Sequence, residues 1–177
     1  MIRSTQPRLT FSEFTGIRVT GRRGWDAFRT AVLAGTMAGG GPFLLVTLPG
    51  GIVTMLRGDI LAGLLLALFP VIVAALLTLI GMTLVALPLT ALLRRTGRER
   101  KAFYVLAGAG TAVPLALLAT AALTGTGAAL SSFGLFFACV GALAGAVTGT
   151  VWGDWRMAMQ AETDPDRPTN PIHDLIY

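Results

Sequence analysis

The stretch ILAGLLLALFPVIVAALLTLIGMTLVALPLTALL, from Ile60 to Leu93, runs for 34 residues without a charged side chain. A straight helix of that length measures about 51 Å, whereas the hydrocarbon core of a bilayer is about 30 Å thick and needs about 20 apolar residues to cross it. The stretch therefore predicts a transmembrane helix with length to spare. Pro70 and Pro88 are the points at which we expect it to bend.

The composition of the whole chain agrees with a membrane protein. Of 177 residues, 54% are hydrophobic and 13% are charged, against about 25% charged in a typical soluble domain. Uncharged runs long enough to cross give four predicted spans, at about residues 30–48, 60–93, 102–123 and 133–153. In the first run, the glycines and prolines at 39–42 and 49–51 disfavour helix, so we expect that helix to end near Leu48. The predicted fold class is an all-α, polytopic membrane protein.

Basic residues fall almost entirely on one side of these four crossings. Thirteen of the fourteen cationic side chains lie in residues 1–29, in the loop RRTGRERK, or after the fourth span, and Arg57 is the exception. The positive-inside rule makes that side cytoplasmic, with both termini inside. The topology determinants in the loop are Arg94, Arg95, Arg98, Arg100 and Lys101.

This orientation divides the chain into three parts. Residues 1–29 form a basic cytoplasmic segment, residues 30–155 the transmembrane domain, and residues 156–177 an acidic, flexible cytoplasmic tail. Amphipathic rings concentrate at the level of the lipid headgroups. The predicted interfacial anchors on the cytoplasmic side are Trp25, Tyr104, Trp152 and Trp155.

The stretch GALAGAVTGTVWGDW, from Gly141 to Trp155, carries glycine at every fourth position. Residues four apart lie in one row on a helix, and a row without side chains lets another helix approach closely. This glycine zipper predicts a helix-packing interface made of Gly134, Ala138, Gly141, Gly145, Gly149 and Gly153. A candidate counter-surface on the third span has the same spacing, at Gly108, Ala112 and Ala116. The sequence leaves open whether the partner is this chain, a second copy or another protein.

Side chains that could act in catalysis, metal binding or proton transfer are scarce in the predicted spans. They contain threonine, serine and Cys139 but no carboxylate or histidine, and the only histidine is His173. We therefore predict no enzyme, no metal site and no cofactor, and leave a bound lipid or pigment open. Nucleic acid is not an expected partner, because no basic stripe with interleaved aromatics occurs. The expected partners are membrane lipids and other membrane subunits, or a second copy of the chain.

Smooth helix faces, two cytoplasmic extensions and the lack of catalytic residues favour a non-catalytic accessory or assembly subunit of a larger bacterial membrane complex. The alternatives are a small homo-oligomeric pore, holin-like or channel-like, and a small transporter of an uncharged or lipid-like solute. The transporter predicts a polar mid-membrane cavity lined by Thr36, Thr78, Thr83 or Thr111. Abundant arginine with a single lysine favours a bacterial cytoplasmic (inner) membrane. The mitochondrial inner membrane is the alternative, because the basic first segment resembles a transit peptide.

Overall fold

The computed structural model describes residues 11–97 and 99–163, with side chains between residues 23 and 162 except Arg98. Within these ranges the chain is helical, with no strand, and four segments are long and apolar enough to cross a membrane. The predicted all-α architecture with four spans is confirmed. The end of the predicted tail, with His173, lies outside the described residues, as does the start of the N-terminal segment.

Six α-helices and one π-helical turn make up the described chain. Their bounds are α1 Phe11–Leu56, α2 Ile60–Gly81, the π turn Met82–Ala86, α3 Leu87–Thr96, α4 Lys101–Thr124, α5 Thr126–Ala129 and α6 Ser132–Thr163. The π turn joins α2 and α3 into one long segment, and α5 is a single turn between α4 and α6.

The first span does not end near Leu48, as the sequence predicted, but continues to Leu56. Pro42 and Pro49 lie inside the helix, although each removes one backbone donor. Intrinsic propensity is a weak guide where tertiary packing opposes it, and packing against α2 explains the correction.

Gly51 makes one of the close contacts between α1 and α2. A Cβ built on Gly51 would lie 2.8 Å from the Cβ of Ala67, so neither helix can carry a larger side chain there. Four residues earlier, the Thr47 hydroxyl donates to the Ala67 carbonyl oxygen over 3.1 Å. The glycines that weaken an isolated helix are therefore the residues that let this one dock.

α1 and α6 also extend beyond the bounds predicted for the transmembrane domain, residues 30–155. α1 already begins at Phe11, and α6 continues to Thr163, so parts of the predicted basic segment and flexible tail are helical. An ion pair of 3.2 Å between Arg23 and Glu162 joins these extensions. At 46 and 32 residues, the two helices measure about 69 and 48 Å and exceed the hydrocarbon core of about 30 Å.

The second span responds differently to its two prolines. α2 passes through Pro70 without interruption, whereas the π turn immediately precedes Pro88. Proline has no N–H, and its ring crowds the carbonyl four residues earlier, here that of Leu84. The helix widens at this point, and the Leu87 N–H donates to the carbonyl of Met82, five residues back.

The helices pack as two antiparallel pairs. α1 lies along α2, α4 lies along α6, and α1 joins the pairs by packing on α6, whereas α2 touches α4 and α6 only sparsely. We call the end of the bundle that carries Glu99 and Arg156 the charged end, and the opposite end, which carries Arg57, the loop end. Buried side chains cluster near the charged end: Ala31, Met82, Leu93, Tyr104 and Trp152.

Candidate functional site: the groove between the helix pairs

α4 and α6 meet backbone to backbone along the glycine row. Gly108 and Gly145 each lie against the carbonyl of the other. A Cβ built on Gly145 would lie 2.7 Å from that of Ala112, and one built on Gly141 would lie 2.8 Å from that of Ala116. We call this contact between α4 and α6 the glycine seam.

The remaining members of the row have different neighbours. Gly149 and Gly153 extend the seam toward the charged end, where both lie against Tyr104. Gly134 lies closest to the backbone of α5, at Ala129, and Ala138 is buried. The row that the sequence left without an assigned partner is thus covered by this chain over most of its length.

Two of the four predicted interfacial anchors are buried. Trp25 is 60% exposed, but Tyr104 and Trp152 are only 3% and 5% exposed. The indole N–H of Trp152 donates to the Thr90 hydroxyl over 3.0 Å, which fixes the ring inside the bundle. The structure therefore corrects the prediction for Tyr104 and Trp152, whereas anchoring by Trp25 and Trp155 stays a prediction.

A buried ion pair links the loop after α3 to α6. Arg156 donates to both carboxylate oxygens of Glu99, over 2.7 and 3.0 Å. The Tyr104 hydroxyl donates to the same carboxylate over 3.2 Å, and the Gln160 amide also donates to it. The Glu99 side chain is 2% exposed and that of Arg156 is 15% exposed. We call these four residues the charged latch.

The charged latch satisfies the carboxylate of its buried ion pair, although the buried Nε of Arg156 has no hydrogen-bond partner among the described residues. Both carboxylate oxygens have donors, so the cost of desolvation is offset by several charge-assisted hydrogen bonds. The sequence pattern did not predict this pair, because cations dominate the loop between α3 and α4. The available signal was a single acid, Glu99, in RRTGRERK and a single arginine, Arg156, at the end of the fourth span.

The predicted topology determinants are mostly unpaired. Lys101 forms an exposed ion pair with Asp154 over 2.6 Å. Arg94, Arg95 and Arg100 are exposed and make no ion pair with any residue between 23 and 162 that the structure describes. Arg98 lies outside the described residues.

Because α2 and α4 hardly touch, a groove of about 520 Å³ lies between the two helix pairs. It follows α4 from Tyr104 to Thr124, a rise of about 30 Å at 1.5 Å per residue. The second span forms the facing wall, and α6 forms the floor. The residues that line the wall of the second span include Phe69, Val73, Leu77, Met82 and Leu89. Those on the wall of α4 include Ala107, Thr111, Leu115 and Ala119.

The groove is lined almost entirely by apolar side chains, and most of its hydroxyls already have acceptors. Thr111, Thr120, Thr124 and Thr148 each donate to the carbonyl four residues earlier in their own helix, over 2.7 to 2.8 Å. Donors committed to the backbone leave little capacity to bind a polar solute.

Two of the four threonines predicted to line a polar cavity lie along this apolar groove instead. Thr78 and Thr111 line the groove. Thr36 is buried but is not among the lining residues, and Thr83 is exposed and donates to the carbonyls of its own helix. The π turn and the packing of α1, neither of which the sequence specified, determine which face each threonine occupies.

Aromatic side chains line both ends of the groove. At the loop end, Phe43 stacks on Phe137 with centroids 5.4 Å apart, and Phe133 packs edge-on against Phe137 at 4.8 Å. At the charged end the last lining residues are Tyr104 and Trp152. The groove is thus a long apolar channel whose open side lies between α2 and α4.

In the described ranges, no group of three histidine, cysteine, aspartate or glutamate side chains is placed to hold a metal ion. Comparison with known proteins finds no family model, no curated protein and no solved structure that matches the chain. The interpretation of the groove therefore depends on its own geometry.

Proposed function

We propose that this protein is a non-catalytic, multi-pass component of a bacterial cytoplasmic membrane that binds one lipid-like molecule in the groove. The observation that carries the proposal is the apolar groove of about 520 Å³ between α2 and α4. Small-molecule sites occupy about 300–1,000 Å³ and are mostly apolar, and this groove has both properties.

The shape of the groove favours a hydrocarbon chain over a compact solute. The groove extends over a rise of about 30 Å along α4, and its lining is almost entirely apolar, which suits an elongated hydrocarbon chain. A polar solute would lose its hydration without gaining donors from the walls. A hydrocarbon chain has no hydration to lose, and it exchanges contacts with neighbouring lipid chains for contacts with a preformed surface.

The orientation we propose has the charged end in the cytoplasm. Three cations at the junction of α3 and α4, Arg94, Arg95 and Arg100, are exposed and unpaired within the described chain. At the loop end the one cation is Arg57. This asymmetry supports the positive-inside assignment. The arginine-rich composition supports a bacterial inner membrane.

A second candidate, an accessory subunit of a larger complex, is supported by two helices that are longer than the hydrocarbon core is thick. α1 and α6 both extend past the hydrocarbon core and are joined there by Arg23 and Glu162. Such a helical pair offers a rigid surface to a cytoplasmic partner. A homo-oligomeric pore receives less support, because the glycine row proposed for subunit contact faces α4 of the same chain.

The test is native mass spectrometry of the full chain released from nanodiscs, with a variant that fills the groove. Ala119→Phe puts a ring into the groove, whereas Ala122→Phe is a matched control on the same helix, exposed and outside the lining. We expect wild type and Ala122→Phe to retain an apolar molecule and Ala119→Phe to lose it. Wild type without a bound molecule, or equal retention by both variants, would contradict the proposal. A protein retained at fixed stoichiometry would support the accessory subunit.

A further inference from the structure

We infer that the molecule bound in the groove carries an oxygen atom near its middle, in a carbonyl or hydroxyl group, and that the Thr78 hydroxyl donates a hydrogen bond to it. The inference deepens the proposed function and rests on it. It commits to one class of occupant: a hydrocarbon chain interrupted once by a hydrogen-bond acceptor, at the depth of Thr78.

Thr78 carries the one groove hydroxyl that has no hydrogen-bond partner among the residues the structure describes. The other threonines of the lining, Thr111, Thr120, Thr124 and Thr148, each donate to the carbonyl four residues earlier. A threonine inside a membrane helix usually satisfies its O–H in that way, because no water is present to accept from it. Thr78 makes no such bond, so its O–H is free to donate to a ligand.

The Thr78 hydroxyl is also within reach of a molecule in the groove. Over the described part of the chain, the side-chain polar atoms that are buried without a partner are Thr36 Oγ1 and Arg156 Nε. Thr36 does not line the groove, whereas Thr78 lines it and is partly exposed. The two unpaired threonine hydroxyls thus differ, because that of Thr36 is sealed in the protein and that of Thr78 is open to the groove.

Contact with α1 fixes the side chain of Thr78. A Cβ built on Gly35 would lie 2.9 Å from Thr78 Cγ2 and would also collide with the Thr148 hydroxyl. The Thr78 methyl group is therefore packed against α1, in the space that Gly35 leaves. Because the two branches of a threonine diverge from Cβ and rotate little, the hydroxyl points away from this contact and is held in place.

Thr78 lies near the middle of the groove. It is eighteen residues from either end of the second span, Ile60–Thr96. On this span the groove lining begins at Phe69 and ends at Leu89, about 14 and about 17 Å from Thr78 along the helix axis. An acceptor that reaches Thr78 therefore has apolar groove on both sides of it, which places the oxygen within the chain and not in a headgroup.

One free donor in an apolar wall selects for one acceptor. At this depth an unpaired O–H costs free energy that a single carbonyl or hydroxyl oxygen can recover. A headgroup with several polar atoms would find one partner in Thr78 and leave the others unpaired. A pure hydrocarbon would fill the groove but leave the Thr78 donor unsatisfied.

Two isomeric ketones and the alkane of the same chain length test the inference. Dinonyl ketone has its carbonyl at the middle of the chain, heptadecyl methyl ketone has it beside one end, and nonadecane has none. Each is titrated into the full chain in nanodiscs, and occupancy is measured by native mass spectrometry. The carbonyl stretching frequency of bound dinonyl ketone, isotope-labelled at the carbonyl, should fall, because its oxygen accepts a hydrogen bond.

Thr78→Val removes the hydroxyl and keeps the methyl group against Gly35. We expect the preference for dinonyl ketone over nonadecane to be about three- to tenfold greater in wild type than in Thr78→Val. Comparing two proteins with the same probes cancels the partitioning of the probes into lipid. Heptadecyl methyl ketone should not depend on Thr78, because bringing its carbonyl there would push the chain beyond the end of the groove.

Two further variants separate hydrogen bonding from packing. Thr78→Ser keeps the hydroxyl and should keep the preference. Thr83→Val is the matched control on the same span: it removes an exposed hydroxyl that donates to its own helix, and it should behave as wild type.

The same preference in wild type and Thr78→Val, or an unchanged carbonyl frequency, would overturn the inference while leaving the groove function intact. An equal loss of the preference in Thr83→Val would overturn it as well, as would undiminished binding of dinonyl ketone by Ala119→Phe, which would place the probe outside the groove. Binding of none of the three probes by wild type would overturn the proposed function and this inference together.

Discussion

α4 packs tightly on its side toward α6 and loosely on its side toward α2. Toward α6 its backbone lies against the backbone of the neighbour, and a single added methyl group would collide at Gly108. Toward α2 the same helix borders a groove of about 520 Å³. Both sides are rich in alanine and threonine, so small residues alone do not bring helices together. A close contact forms where the small residues of two helices coincide, as they do along the glycine seam.

This contrast separates a contact that holds the fold from a space that is available to a ligand. In lipid, helices gain little from hiding apolar surface, and close packing supplies most of the association energy. The seam should therefore be intolerant of added volume, and the groove should accept it.

Gly145→Leu should abolish the folded bundle. The side chain would enter the backbone of α4 at Gly108 and Ala112, where neither helix can yield locally, and we expect a loss above about 5 kcal/mol. Unfolding in mixed micelles, followed by circular dichroism, measures the change. Gly110→Leu is the matched control, because a Cβ at Gly110 meets nothing within 4 Å. Equal tolerance of both substitutions would show that the seam is not a close contact.

Glu99→Ala should open the charged latch at the end of the seam. It leaves Arg156 inside the protein without its carboxylate partner, and breaking a buried pair in this way costs about 3–5 kcal/mol. Asp154→Ala removes the exposed partner of Lys101 and should cost less than about 1 kcal/mol. The same unfolding assay compares the two variants, and similar losses would mean that the latch contributes no more than a surface pair.

Ala116→Leu and Ala119→Leu test the two sides of α4 directly. Ala116 lies in the seam against Gly141 at the edge of the groove, whereas Ala119, nearly one turn later, lines the groove beyond the seam. We expect the seam variant to lose about 1–3 kcal/mol through overpacking and the groove variant to change by less than about 1 kcal/mol. A larger loss at Ala119 would mean that the groove is closed in the membrane.

Cys139→Ala should have the smallest effect. Cys139 is exposed on α6 and is the only cysteine in the chain, so we expect a change within about 0.5 kcal/mol. The variant provides a background for single cysteines at Arg95 and at Gly127, on opposite ends of the bundle. A membrane-impermeant maleimide should reach position 127 from outside intact cells, and position 95 only after lysis. The reverse pattern would contradict the proposed orientation.

The sequence predicted the crossings because their determinants are local. Charge-free runs and loop cations fixed the four spans, and the spacing of glycines on α6 matched that of small residues on α4. The predicted end of α1, near Leu48, was wrong. Helix formation past Pro49 depends on docking against Gly63 and Ala67, and the helix propensity of α1 alone does not include that docking.

The groove and the charged latch could not be predicted for a related reason. Glu99 and Arg156 are 57 residues apart, and only the packed bundle brings them together. The groove exists because α2 and α4 fail to meet, and the sequence of either helix alone does not contain that information. Thr36 and Thr83 were misplaced because their faces depend on how the helices are rotated in the bundle.

The π turn at Met82–Ala86 changes the rotational orientation of α3, which follows it. A π turn is equivalent to one residue inserted into an α-helix, and each inserted residue changes the angular phase of the downstream helix by about 100°. It thereby decides which side chains of α3 face inward, Leu89 toward the groove and Leu93 into the buried cluster. Deleting one residue here would leave the hydropathy of the span almost unchanged and swing Arg94 and Arg95 about a quarter-turn around the axis.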